Sequence, residues 1–167
     1  LVDAVRQGRR EEFAAFDWQG EVPDPQAEAT FRRSRLDHAL ARRGAHRVLR
    51  EFYRELLALR RQVPAIARAK KDAVETTALE PESVCMVRQW SADDTVLLVF
   101  NFAAQRHVVD VPLPLGEWRK RLDSTDARWR GPGLTASANA AGPGRVRLDL
   151  PGTALVLYEN SPAADDS

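Results

Sequence analysis

The sequence has little sulfur: among 167 residues there is one cysteine, Cys85, and one methionine, Met86. A single cysteine excludes a disulfide within the chain, and this composition is typical of a reducing compartment, so we expect a cytoplasmic protein. The chain opens at Leu1, without a starting methionine and already inside a helical pattern. We therefore expect it to be a piece of a longer protein.

No apolar run reaches the roughly 18 residues of a membrane span, and no signal peptide opens the chain, so no membrane partner is expected. Lysine is nearly absent, and arginine supplies most of the positive charge, which is concentrated in the first 71 residues. A basic half can indicate nucleic-acid binding. Here, however, the arginines alternate with acids on the solvent-facing sides of the predicted helices and form no recognition motif, so no nucleic-acid partner is expected.

Familiar catalytic motifs are missing too, including the phosphate-binding glycine loop, CxxC, HExxH and GxSxG. The three histidines, His38, His46 and His107, lack the spacing of metal ligands, so the sequence predicts neither a metal site nor a cofactor. Asp93 and Asp94 are adjacent acids that could act as a pair. A solvated turn is the usual explanation for such residues.

The strongest pattern present is an amphipathic helix over residues 46–63. Its apolar residues recur at steps of three and four, which gives one stripe on a helix: Leu49, Phe52, Tyr53, Leu56, Leu59 and Val63. The proline that follows should end it. Upstream we expect a helix over residues 1–16 and a short one capped by Thr30, with Phe31 and Leu36 facing inward.

From residue 73 onward, apolar and polar residues alternate with a period of two, which predicts strands. Seven are expected, at residues 73–79, 83–90, 95–102, 106–111, 118–123, 145–150 and 153–159. Strand 95–102 is apolar on both faces and should be central, paired with strand 83–90 through a hairpin loop. Residues 112–116 should form a turn-rich crossing and residues 131–144 a long loop. Seven short strands predict an antiparallel β-sandwich.

Residues 18–26 form the one segment whose composition suggests a binding role. Trp18, Asp24 and Gln26 lie on an irregular stretch stiffened by two prolines, a combination typical of ligand sites. We take these three as candidate substrate-binding residues; the alternative is a plain connector. Among the remaining tryptophans, we predict core positions for Trp90 and Trp118 and leave the role of Trp129 open.

Several segments carry motifs that occur together in one family: residues 5–13, 22–26, 30–31, 34–37, 53–61, 97–102, 122–129 and 155–158. They resemble the late part of malto-oligosyltrehalose trehalohydrolases, which belong to the α-amylase superfamily of glycoside hydrolases. The Val-Pro-Asp-Pro-Gln run at residues 22–26 points most narrowly to this family. Residues 53–61 are similar to the last barrel helix of the superfamily, and the later segments to its C-terminal β domain.

The resemblance implies an α+β fragment. Residues 1–63 would be the last helical segment of an incomplete (β/α)8 barrel, residues 64–160 a C-terminal antiparallel β-sandwich, and residues 161–167 a disordered tail. The partners implied are the missing N-terminal barrel of the same protein and, through it, a maltooligosaccharide substrate.

The resemblance also implies that the parent enzyme releases trehalose from maltooligosyltrehalose by cleaving the adjacent α-1,4 bond. Retaining hydrolysis needs two carboxyl groups about 5–5.5 Å apart. In this superfamily they lie at the ends of earlier barrel strands, so no catalytic residue is expected in this chain. The alternatives are the C-terminal part of an α-glucan branching or debranching enzyme, and a non-catalytic carbohydrate-binding sandwich.

Overall fold

The structure is a computed structural model, and it describes residues 1–133 and 136–160. The chain forms two compact units, one of residues 1–42 and one that begins at Arg43. The predicted disordered tail at residues 161–167 lies outside the described residues. Among those that are described, no helix has the length and apolar character needed to cross a membrane.

The first unit contains helices α1 (Val2–Ala15) and α2 (Glu28–Ser34), followed by a 3-10 helix at His38–Arg42. The predicted helix over residues 1–16 is confirmed. Helix α2 begins before Thr30, and Phe31 and Leu36 are 65% and 81% exposed, so the predicted cap and the inward-facing positions are wrong. No residue of this unit is buried, because a unit of this size buries too little surface to enclose a core.

Helix α3 (Gly44–Gln62) confirms the predicted amphipathic helix, and the proline after it opens a short helix, α4 (Pro64–Ala67). Proline fits a first helical position because that position's N–H would have no partner within the helix. The apolar stripe is buried only towards its C-terminal end, where Leu59 is 4% exposed while Leu49 is 54% exposed. The unit boundary at Arg43 places α3 with the strands, whereas the predicted domain division falls at residue 63.

One antiparallel sheet has the order β1-β2-β3-β6-β4-β5. Its strands among the described residues are β1 (Val74–Leu79), β2 (Val84–Trp90), β3 (Thr95–Asn101), β4 (His107–Asp123), β5 (Asn139–Leu150) and β6 (Leu155–Asn160). Strand β3 lies between β2 and β6, as its apolar sequence predicts. The predicted hairpin loop between β2 and β3 is also confirmed.

Strand β4 corrects two of the predictions. The expected strands 106–111 and 118–123 are one strand, and the expected crossing at residues 112–116 lies inside it, with an irregularity between Leu113 and Gly116. Strand β6 pairs with β4 only from Trp118 onward. The earlier part of β4 therefore has β5 on one side only, and prolines are tolerated on such an open edge.

Strand β5 shortens the predicted loop at residues 131–144, because it begins at Asn139. Its first residues pair with β4 on either side of the irregularity. A Cβ atom on Gly142 would lie 1.9 Å from the carbonyl oxygen of Pro114, so the close approach of the two backbones requires glycine. A glycine-rich stretch that reads as a loop in sequence is therefore part of a strand.

The main core lies between the two ends of this single sheet. Buried residues of β2 and β3 pack in one cluster with buried residues of β4 and β5, among them Val84, Met86, Leu97, Val99, Val109, Val111, Leu148 and Leu150. The sheet therefore curls so that its ends enclose the core, where the sequence predicts two separate sheets. A second cluster joins the other face of β3 to the two helices through Val96, Leu59, Val63 and Ala65.

Candidate functional site

Asp24, one of the predicted substrate-binding residues, lies in the first unit, in the extended segment after α1. Its Oδ2 accepts a hydrogen bond from Nε of Arg6 at 2.9 Å and forms an ion pair with Nη2 of the same side chain, and its Oδ1 accepts a hydrogen bond from the backbone N–H of Gln26 at 2.9 Å. The bond from Arg6 is the largest cause that lowers the pKa of Asp24, followed by the bond from Gln26. A carboxylate held ionised in this way accepts hydrogen bonds and is unsuited to donating a proton.

A shallow cavity of about 230 Å³ opens beside Asp24. Three arginines of α1, namely Arg6, Arg9 and Arg10, line it together with residues 22–25. Their spacing of three and four residues puts all three on one helix face. The cavity thus presents guanidinium donors around one carboxylate, a set that can hydrogen-bond hydroxyl groups or bind an anion. The arginines were not among the predicted site residues, although their helical spacing in the sequence places them on one face.

Trp18 and Gln26 do not share this cavity. The Trp18 ring is 55% exposed and packs edge to face against Phe13, with ring centroids 5.5 Å apart. Gln26 contributes its backbone N–H to Asp24, and its side chain is exposed. The structure therefore brings Asp24 together with arginines, but it does not assemble the predicted group of Trp18, Asp24 and Gln26 into one pocket.

The other tryptophans lie in the second unit. Trp118 is 1% exposed and donates a hydrogen bond to the carbonyl oxygen of Pro114 at 3.0 Å, so its predicted core position is confirmed. Trp90 is only half-buried. Trp129 lines a groove of about 420 Å³ and packs edge to face on Phe52 of α3, with ring centroids 5.2 Å apart. Its packing against α3 makes Trp129 a structural residue of this unit.

The two adjacent acids of the β2–β3 loop have separate roles. Asp94 is 6% exposed and accepts hydrogen bonds from the Ala65 N–H at 2.7 Å and from Oγ of Ser91 at 2.6 Å. The predicted solvated turn is therefore wrong for Asp94, whose carboxylate anchors α4. Asp93 is exposed and pairs with Arg68 at 3.0 Å. Their separate partners give no support to an acid pair.

Comparison with known proteins places the second unit in a recognised family. Residues 72–157, about half of the chain, match the family described as Domain of unknown function (DUF3459). The malto-oligosyltrehalose trehalohydrolase of Deinococcus radiodurans is 36% identical over 131 residues, which are 77% of this chain and 22% of that protein. The enzyme of the same name from Rhizobium sp. is 40% identical over 114 residues, 67% of this chain and 18% of that protein.

The fold also has a counterpart among solved structures. A Salmonella typhimurium protein provisionally named an α-amylase covers 96% of this chain with a TM-score of 0.63 at 23% identity, and 24% of that protein is matched. The chain thus spans about a fifth of the length of the curated relatives it matches. These similarities confirm the resemblance to malto-oligosyltrehalose trehalohydrolases that the sequence motifs indicate.

Proposed function

Because the chain belongs to the DUF3459 family, we propose that it is the C-terminal part of a glycoside hydrolase that releases trehalose from maltooligosyltrehalose. The bond cleaved is the α-1,4 bond next to the terminal trehalose unit. The observation that carries this proposal is the similarity, along most of the chain, to two enzymes named malto-oligosyltrehalose trehalohydrolase.

In this proposal the chain supports the reaction without carrying it out. Retaining hydrolysis uses a pair of carboxyl groups about 5–5.5 Å apart, one of which must donate a proton. The carboxylates that this structure organises most tightly have other partners: Asp24 is held by Arg6, Asp94 by the Ala65 N–H, and Asp123 by Thr125. These engagements make the three carboxylates poor candidates for the reacting pair, which the proposal assigns to another part of the parent enzyme.

In the parent enzyme each domain of this chain would have its own role. Residues 1–63 would complete the catalytic barrel and bring the segment 18–26 to the substrate cleft, since loops after barrel strands form the active-site face. Asp24 and Gln26 would then bind sugar hydroxyls, and Trp18 would cover the apolar face of a sugar ring. Residues 64–160 would form the C-terminal β domain.

A substrate panel tests the proposal on the longer protein, obtained by including the coding sequence upstream of Leu1. The expected result is release of trehalose from maltotriosyltrehalose, with little action on the α-1,6 branch points of amylopectin. A longer protein that forms or removes branches and releases no trehalose would instead be a branching or debranching enzyme, and the proposal would fail.

A further inference from the structure

Near one end of β1 and β2 the inner face of the sheet carries a charged pair between Met86 and Trp90. Cross-strand partners share a face, and the pairs here are Thr77 with Met86 and Glu75 with Arg88. Met86 belongs to the main core, so Glu75, Thr77 and Arg88 occupy inward-facing positions. Charged groups at inward-facing positions depart from the apolar character of the neighbouring core, and departures of this kind concentrate at functional sites.

A cavity of about 250 Å³ lies beside this charged pair. The polar residues form its rim, and its floor is apolar, made by Met86, Leu97 and Leu113. Prolines of β4 complete the lining. Pockets for drug-sized ligands are typically about 300–1,000 Å³, so this cavity, the end pocket, suits a single small ring.

The charged pair of the end pocket retains hydrogen-bonding capacity. Nη2 of Arg88 donates to Oε2 of Glu75 at 2.5 Å. The Nε atom of Arg88 is buried and has no hydrogen-bond partner among the described residues. A buried donor without a partner costs free energy, and a shift of the Arg88 side chain, which is 39% exposed, would bring this donor to a ligand oxygen and remove that cost. Glu75, whose side chain is 56% exposed, offers carboxylate oxygen as an acceptor at the same rim.

These features select a ligand that both donates and accepts hydrogen bonds and carries no charge. An anion would meet the Glu75 carboxylate, and a cation would meet the Arg88 guanidinium. Sugar hydroxyls both donate and accept, and the C–H face of a sugar ring fits an apolar floor. We propose that the end pocket binds one ring of a neutral saccharide, between the Glu75–Arg88 rim and the floor at Met86.

Binding can be followed on the whole chain by ¹H–¹⁵N NMR during titration with maltose. The choice of maltose rests on the proposed function, whereas the pocket belongs to this chain and is tested without the longer protein. We expect saturable shifts at the amides of Thr77, Arg88 and Leu113, with a dissociation constant on the order of 1–10 mM for one small open pocket. Glucose should bind more tightly than glucuronate, because Glu75 repels a carboxylate.

Variants separate binding from a purely structural role of the pair. Arg88→Gln and Arg88→Lys both remove the Nε donor and should weaken maltose binding by about tenfold or more. The matched control is Arg106→Gln, which removes another exposed pair, with Asp149, outside the end pocket and should leave binding unchanged. Thermal melting of each variant identifies any loss of folding. If Arg88→Gln does not fold, Arg88→Lys, which keeps the positive charge, provides the test.

Three results would overturn the proposal. The first is the absence of saturable shifts at the end pocket, and the second is equal maltose affinity in wild type and Arg88→Lys. The third is tighter binding of glucuronate than of glucose. In the first two cases the Glu75–Arg88 pair would serve only to protect the edge strand β1 from pairing with other chains, a known use of inward-pointing charges.

Discussion

Asp94 is the buried carboxylate that joins the β2–β3 hairpin to helix α4. Its Oδ1 accepts the Ala65 N–H, one of the N–H groups in the first turn of α4 that have no partner within the helix. The same oxygen accepts from Oγ of Ser91, which in turn accepts from the Asp94 N–H at 3.2 Å. The residue therefore acts as a capping acceptor supplied from a distant part of the sequence.

Replacing Asp94 with alanine should destabilise the chain by about 2 kcal/mol, because it removes a capping interaction and leaves a buried N–H without its acceptor. Asp93→Ala is the matched control; it removes an exposed ion pair and should change stability by less than about 0.5 kcal/mol. Urea unfolding of the three proteins measures both effects. Equal losses in the two variants would show that Asp94 is not the anchor.

Tyr158 couples stability to alkaline pH. It is fully buried, and burial, followed by the nearby Asp123 carboxylate, raises its pKa from 10.0 to about 12. Above pH 10 the unfolded chain therefore releases this proton more readily than the folded chain, so this contribution to stability is present below pH 10 and is lost as the pH rises.

The expected loss is about 2 kcal/mol of unfolding free energy between pH 10 and 12. Tyr158→Phe should remove this part of the pH dependence and cost about 1 kcal/mol at neutral pH, since the hydroxyl donates to the Ser137 carbonyl oxygen. Denaturant unfolding at several pH values measures both. The same alkaline slope in wild type and Tyr158→Phe would rule out Tyr158 as its source.

Asp24 and Gln26 should affect substrate binding in the longer protein without taking part in proton transfer. Asp24→Asn and Gln26→Ala are expected to lower kcat/KM by at most about a hundredfold and to leave the pH profile unchanged. The control is Asp3→Asn, because Asp3 is a fully exposed second partner of Arg6 at 3.5 Å. Kinetics identical to wild type would make the segment a connector, and a shifted acid limb would indicate proton transfer.

At the scale of elements, α3 has an apolar stripe whose two ends differ in burial. Leu59 belongs to the second core cluster, with Phe52 and Leu56 packed partly against it. Leu49, at the other end of the stripe, is 54% exposed. One periodic pattern thus contains both a packed part and an exposed part, and periodicity alone does not separate them.

Leu59→Ala should cost about 2–5 kcal/mol, the usual range for a buried leucine, while Leu49→Ala should cost less than about 0.5 kcal/mol in this chain. The two substitutions remove the same atoms from the same helix, so their difference reports burial. Equilibrium urea unfolding supplies the numbers. A larger loss in Leu49→Ala than in Leu59→Ala would mean that α3 packs through the opposite end.

Elements with unbroken local patterns could be predicted from the sequence. Helices α1 and α3 have helical periodicity, and the β2–β3 hairpin has two apolar strands around a short polar loop. The two ends of strand β4 could be predicted, but its continuity could not, because prolines and a glycine interrupt its alternation. Its continuity comes from pairing with β5, about 30 residues further along the chain, and local sequence does not record that pairing.

The candidate site, too, could be predicted only where local sequence carries the signal. The proline-rich segment identified Asp24 as a residue of interest, but its partner Arg6 lies 18 positions away and is brought close by the turn after α1. The end pocket could not be predicted from the sequence, because Glu75 and Arg88 have the character of ordinary solvent-facing positions of strands. Only the strand register shows that they face inward beside Met86.

At the scale of the whole molecule, the two units differ in how they are held together. The unit that begins at Arg43 has two buried clusters and one continuous sheet, whereas residues 1–42 contain no buried residue. The residues matched in the two curated relatives are only 22% and 18% of those proteins, and together with this contrast they support the proposal that the first part of the chain completes a larger domain. The proposed division of labour assigns catalysis to that larger domain.

The most direct test measures trehalose release from maltotriosyltrehalose. It compares the 167-residue chain with the longer protein that includes the upstream coding sequence, and it decides whether catalysis belongs to the larger domain. We predict that the longer protein releases trehalose and that the chain alone gives no release above a blank without protein. Release of trehalose by the chain alone, or none by the longer protein, would contradict it.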